Sequence, residues 1–138
     1  MSQPTVRIES VEGYPAMVML WEHTVRTADV QAAFKDITAR LEAADEPTYV
    51  LVDLLKDPQF PLIDTITGAL WGPFRHPTLK EWLVIGTNTL ARVIARSLSN
   101  ATRRNNIRWF NSYDEVYAYI QKMQPAEDEG SQSATKPS

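Results

Sequence analysis

The stretch TYVLVDLLKDPQFPLIDTITGALWG, residues Thr48 to Gly72, decides the fold. Its opening Tyr49-Val50-Leu51-Val52 is an unbroken aliphatic and β-branched run, the pattern of a strand buried on both faces. Asp53 ends the run. Pro58 and Pro61 bar helix and ladder hydrogen bonds from the next segment, which reads as a loop. Leu62, Ile66 and Leu70 then recur four apart, as one face of a helix does. A buried strand, a loop at its carboxyl end and a helix form the repeating unit of an open α/β sheet, which places binding sites at that junction.

The flanking sequence extends the same architecture. Thr5–Ser10 alternates as a half-buried strand, and Gly13 and Pro15 supply a turn before the more apolar strand Ala16–Trp21. Thr27 has the chemistry of an N-cap, with Asp29 in the first turn and Val30, Phe34, Ile37 and Leu41 forming an inward stripe. Beyond the central stretch, Gly72–Pro77 is a second loop and Trp82–Ile85 a buried strand closed by Gly86. Asn88 caps a helix whose Leu90, Val93, Ile94 and Leu98 are expected inward. Ile107–Phe110 is a last strand. Ser112 and Glu115 have capping-box spacing ahead of a helix with Val116, Ile120 and Met123 inward. The order β-β-α-β-α-β-α-β-α specifies a single small α/β domain: a mixed, mostly parallel sheet of about five strands flanked by about four helices. The domain is expected over residues 1–124. Residues 125–138 hold no large apolar side chain and are expected to form a disordered tail.

Composition excludes several functions. A net charge of −3 argues against a general nucleic-acid binder, which needs a basic surplus to neutralise phosphates. The absence of cysteine removes disulfides, thiolate metal sites and cysteine nucleophiles. The opening MSQPTVRIES has no secretory pattern, and no run is apolar enough to span a bilayer, so a cytoplasmic protein is expected. Phosphate-binding, dinucleotide-binding, nucleophile-elbow and zinc-protease motifs are all missing, and the chain is not read as an enzyme. His23 and His76 stand far apart in sequence with no ligand spacing, so no metal and no cofactor are expected.

The element order, with Val52-Asp53-Leu54 at the central strand end and Asp64-Thr65, Thr67-Gly68 and Leu70 at the helix start, resembles the STAS family. That family comprises domains of anti-sigma-factor antagonists and of sulfate-transporter tails. Ile107-Arg-Trp-Phe-Asn-Ser-Tyr-Asp-Glu115 is similar to the final strand and capped helix of its antagonist-like and SEC14-like bacterial members. The resemblance runs from Thr5 to Gln124. It implies a non-catalytic regulatory module that docks a protein partner, an anti-sigma factor or a kinase, through the loop and helix from Pro58 to Trp71. In antagonist members the Ser of a contiguous Asp-Ser-Ser-Gly is phosphorylated, and alignment on the glycine puts Thr67 in its place. Asp64, Thr65, Thr67 and Gly68 are thereby the phosphoacceptor or partner-binding candidates. Ile66 separates the two hydroxyl residues here, and the loop from Asp53 to Asp64 is longer than the family's.

Other residues carry weaker signals. Thr65 and Thr67 near a helix start suit a phosphate, or an anion held by backbone amides, although capping is the commoner role. Between Trp82 and Tyr113 there are five arginines and no acid, and Arg92 and Arg96, one helical turn apart, are the pair best placed to meet an anion or acidic partner. Trp71, Phe74, Trp82, Trp109 and Phe110 fall at element ends, where they either fill the core or line an apolar pocket for a small molecule or lipid, as in SEC14-type carriers. The space between the Leu62–Trp71 helix and the sheet distinguishes the two functions. A ligand-sized apolar cavity favours the carrier, and a packed core with an outer patch favours the interaction module.

Overall fold

The computed structural model describes residues 3–59, 65, 73–86, 88–103 and 106–132. Five strands, β1 (Val6–Ser10), β2 (Ala16–Trp21), β3 (Thr48–Asp53), β4 (Leu79–Ile85) and β5 (Ile107–Phe110), pair in sequential order across one sheet. β1 is antiparallel to β2, and β2 through β5 are parallel. Among the described residues three helices accompany them: α1 (Thr27–Ala43), α2 (Thr89–Thr102) and α3 (Tyr113–Gln132). The chain is thus a small α/β domain with a mixed, mostly parallel five-stranded sheet. The expected helix Leu62–Trp71 lies outside the described residues apart from Thr65. A short 3-10 turn, Pro73–Arg75, falls within the loop expected before β4.

Strand order dictates how the helices are distributed. Parallel strands laid down in one direction by right-handed crossovers put every crossover helix on the same face. α1 and α2 accordingly share one face, where Val30, Phe34, Ile37 and Leu41 of α1 and Ile94 and Leu98 of α2 meet Met17, Met19, Trp21, Val50, Val52, Trp82 and Val84. α3 follows the last strand and covers the other face, with Val116 and Ile120 against Ala16, Val18, Tyr49, Leu51, Leu83 and Ile85. The period of two in the strands thereby builds two separate cores. Since the order never reverses, no crevice opens at a topological switch point, and any site at the carboxyl edge must be built by the loops.

Several local expectations are corrected. Thr27 is the first residue of α1, and the cap position is Arg26, which makes no side-chain cap bond. Asp29 is drawn instead to the start of the chain, where its Oδ2 accepts from the Thr5 amide (2.9 Å), the Thr5 hydroxyl (2.7 Å) and Arg26 Nε (2.8 Å). Val93 and Met123 are exposed, not inward. At about 100° per residue, the Ile94–Leu98 line that meets the sheet leaves Val93 well round the helix. Apart from these corrections, the helical backbone of α3 runs from Tyr113 to Gln132. Two caps are as expected: Asn88 Oδ1 accepts from the Ala91 amide (2.9 Å), and Ser112 Oγ accepts from the Glu115 amide (3.3 Å).

Candidate functional site

The carboxyl ends of β3, β4 and β5 are laced together by backbone bonds from Leu54 N–H to Ile85 O (2.9 Å) and from Gly86 N–H to Phe110 O (2.8 Å). Gly86 has φ +105, and a Cβ there would lie 3.2 Å from the Leu54 carbonyl carbon and oxygen, so this close approach requires glycine. Asp57, at φ 50, turns the next loop back over the edge. Its Oδ1 accepts from Asn88 Nδ2 (2.9 Å), which also donates to Pro58 O (3.1 Å). Asn88 therefore fixes the β3 loop with its amide nitrogen and caps α2 with its oxygen.

Around this anchor lies an open polar crevice of about 640 Å³, bounded by Leu55, Asp57, Asn88, Thr89, Arg92 and Asn111. α2 opens onto it with no acid in its first turn, so the positive end of its dipole is left without a counter-charge from its own helix. Leu55 is 53% exposed beside the crevice, and Val93, next to Arg92, is 46% exposed. Arg92 lays its guanidinium over the Trp109 ring, 4.4 Å from the centroid.

Beneath Trp109, between the sheet and α2, is a second space of about 80 Å³ lined by carbon, with Met19, Phe34, Trp82, Ile94, Leu98 and Trp109 among its walls. Phe74 stacks on Trp82 with centroids 6.1 Å apart. Trp82 is 5% exposed, and its buried Nε1–H has no hydrogen-bond partner among the described residues. A buried donor left without a partner costs about 1–3 kcal/mol.

The opposite face is bonded rather than hollow. The Tyr113 hydroxyl donates to Asp53 Oδ2 (2.5 Å), and the Tyr119 hydroxyl donates to Glu81, which also holds Arg108 Nε at 2.9 Å. Burial first, and then the bond to Asp53, raises the Tyr113 phenol above its usual range. Burial and the bond to Glu81 push Tyr119 up to about 12. Asp53, the acid at the end of the central strand, is thus occupied by Tyr113 and by the Leu55 amide (3.0 Å).

The sequence candidates fare unequally. Thr65 is 5% exposed and lines the apolar cavity, so its hydroxyl is out of reach of a kinase in this conformation. Asp64, Thr67 and Gly68 lie outside the described residues. Arg92 is at the crevice and Arg96 is exposed one turn on. The wider arginine group is dispersed: Arg108 pairs with Glu81, and Arg103 is the left-handed cap of α2. His23 and His76 sit at opposite ends of the parallel strands. His23 Nδ1–H donates to Lys56 O (3.1 Å), and His76 Nδ1 accepts from the Thr78 amide (3.2 Å). Among the described residues no group of three or more His, Asp or Glu side chains is placed to hold a metal ion, and no helix is long and apolar enough to cross a membrane. Phe74, Trp82 and Trp109 do line the cavity. Sequence reasoning missed the Asp57–Asn88 clasp, although Gly86 followed by a capping Asn at a strand end was its visible signal.

No family model matches this chain, and neither does any curated protein or solved structure.

Proposed function

We propose that the protein is a non-catalytic regulatory module that docks a protein partner at the carboxyl edge of its sheet, in the manner of the STAS domains it resembles, and that it works in the cytoplasm. The observation that carries this reading is exposed Leu55 on the wall of a polar crevice that the clasped Asn88 and Arg92 also line. Apolar side chains beside satisfied polar groups are the makings of an interface. Arg92 at the crevice favours a partner segment that brings a carboxylate flanked by an apolar side chain.

Two finer points belong to the same proposal. The crossover between β3 and β4 carries the helix expected over Leu62–Trp71, completing the order β-β-α-β-α-β-α-β-α. Control comes from phosphorylation at Thr67, the residue that the family alignment selects, because Thr65 is walled into the core. A long-chain lipid is disfavoured as ligand, since the apolar space of about 80 Å³ is far below the roughly 300–1,000 Å³ of drug-sized sites.

A photo-crosslinking residue placed at Leu55 tests the docking surface against one placed at Lys35, exposed on α1. The expected result in the native cell is a discrete adduct from position 55, lost in Arg92→Glu at unchanged melting temperature. Equal adducts from both positions, or an adduct indifferent to Arg92→Glu, would contradict the proposal.

A further inference from the structure

Among the described residues the sheet ends laterally on β1, whose far side meets no other strand. The bonds at the two ends of the β1–β2 ladder fix its backbone phase: Glu22 N–H donates to Thr5 O (2.9 Å) and Val11 N–H to Ala16 O (3.0 Å). Odd-numbered residues of β1 therefore face β2, and the amides and carbonyls of Val6, Ile8 and Ser10 point away from the sheet. Among the described residues these outward groups are not bonded. The side chains alternate in the same phase. Val6 and Ile8 lie on the α1 face, beside an open groove of about 400 Å³ that Pro4, Ala32 and Ala33 also wall. Arg7 and Glu9 lie on the other face, half exposed and 3.8 Å apart.

We infer that this edge pairs with the same edge of a second copy of the chain, antiparallel about a twofold axis through Ile8, so that two sheets become one. An antiparallel strand laid here must pair even residues with even ones, since only those direct their bonds outward. Twofold registers centred on Arg7, Ile8 or Glu9 all satisfy this. A centre on Arg7 sets that residue against its own copy, and a centre on Glu9 does the same for the acid; directly opposed like charges destabilise a sheet. Those centres also waste outward groups, the first by setting Ser10 against Pro4, which has no N–H, and the second by setting Val6 against Glu12 in the turn. Centring on Ile8 pairs every outward group of Val6, Ile8 and Ser10. It places Arg7 opposite the partner's Glu9 and Glu9 opposite the partner's Arg7, at non-hydrogen-bonded positions where side chains come closest. Charges on an edge strand commonly block pairing. Here their opposite signs, symmetric about Ile8, select one register instead. Residues paired across strands share a face, so the partner's Ile8 falls beside Ile8 on the α1 side, over the groove that Ala32 and Ala33 leave open. A five-residue edge makes a small, reversible interface. It runs along the side of the sheet and does not depend on the docking crevice at the carboxyl end.

Sedimentation velocity of the full chain from about 10 µM to 1 mM should show reversible monomer–dimer exchange. Over the same range the amides of Val6, Ile8 and Ser10 should gain protection from hydrogen exchange, while those of Arg7 and Glu9, already directed at β2, should not change. Arg7→Glu and Glu9→Arg should each weaken the dimer about tenfold, with the monomer's melting temperature unchanged. Mixed in equal amounts, the two variants should form a heterodimer as tight as wild type, because each charge again meets its opposite. A monomer at all concentrations would overturn the inference. So would a dimer that leaves the β1 amides unprotected, or one indifferent to both charge reversals, since the copies would then meet elsewhere. The wild-type sedimentation and exchange measurements decide the matter even if a variant fails to fold.

Discussion

The two faces of this sheet are built from the same strands and finished differently. The face under α1 and α2 is filled with aliphatic, methionine and tryptophan side chains and retains a carbon-lined void. The face under α3 is covered by one helix, and its tyrosines both pack and bond. Tyr14 stacks on Tyr117 at 5.7 Å, Tyr113 and Tyr119 reach acids on β3 and β4, and Tyr119 meets the rings of Tyr49 and Phe110. A single helix cannot roof a five-stranded sheet with aliphatic side chains alone, and long phenols extend its reach toward solvent with a polar tip. Among the described residues, the face with more helices is the one that retains an apolar space.

Large-to-small changes should expose that difference most strongly. Ile120→Ala, in the filled core under α3, is expected to cost about 4 kcal/mol, and Leu98→Ala, on the wall of the void, about 2.5 kcal/mol, because Leu98 already lacks neighbours on one side. Equal losses in denaturant unfolding would mean that the void does not loosen its surroundings. Thr65→Asp comes next, at about 3 kcal/mol, since a carboxylate set among carbon walls loses its hydration. A near-neutral Thr65→Asp would put the hydroxyl at the surface and restore Thr65 as a phosphoacceptor.

Small-to-large changes invert the comparison. Ala16→Leu, buried under α3, should overpack and cost about 2 kcal/mol, whereas Ala95→Leu should fall within about 0.5 kcal/mol of wild type because space awaits it. The faces should also fail at opposite ends of the pH scale. Tyr119 has its proton held up to about pH 12 in the fold, so its contribution is complete below the ordinary phenol range and is lost as pH rises from about 10 to 12. Asp29, at the start of α1, is held down to about 2 by Thr5 and Arg26, so its contribution is present above the ordinary carboxylate range and is lost as pH falls from about 3.8 to 2. Tyr119→Phe should reduce the alkaline loss and Asp29→Asn the acid one, each by a few degrees in melting temperature measured across pH.

Much of this is legible in residue patterns, and the omissions have physical causes. β3 is unmistakable because a strand buried on both faces is apolar at every position from Tyr49 to Val52. Asn88 and Ser112 are readable as caps because capping is local chemistry. Thr27 misleads because Asp29 and Arg26 answer to Thr5, more than twenty residues away in sequence, a contact that no local rule anticipates. Helical spacing assigns Val93 and Met123 inward, because it gives a helix its apolar residues but not the width of the stripe its neighbours cover. Phe74, Trp82 and Trp109 stand out in the sequence as pocket or core, but a void is a relation among side chains from five or more elements and leaves no mark in any one of them. The Asp57–Asn88 clasp likewise joins residues thirty-one apart through two loops.

The measurement that addresses the asymmetry most directly is a crystal structure of the full chain under xenon pressure, which reports apolar empty space without reference to hydrogen bonding. One xenon atom is expected between α2 and the sheet, in contact with Trp82, Ile94, Leu98 and Trp109, with none on the tyrosine face under α3. Xenon absent from the first position, or present on both faces, would contradict the account.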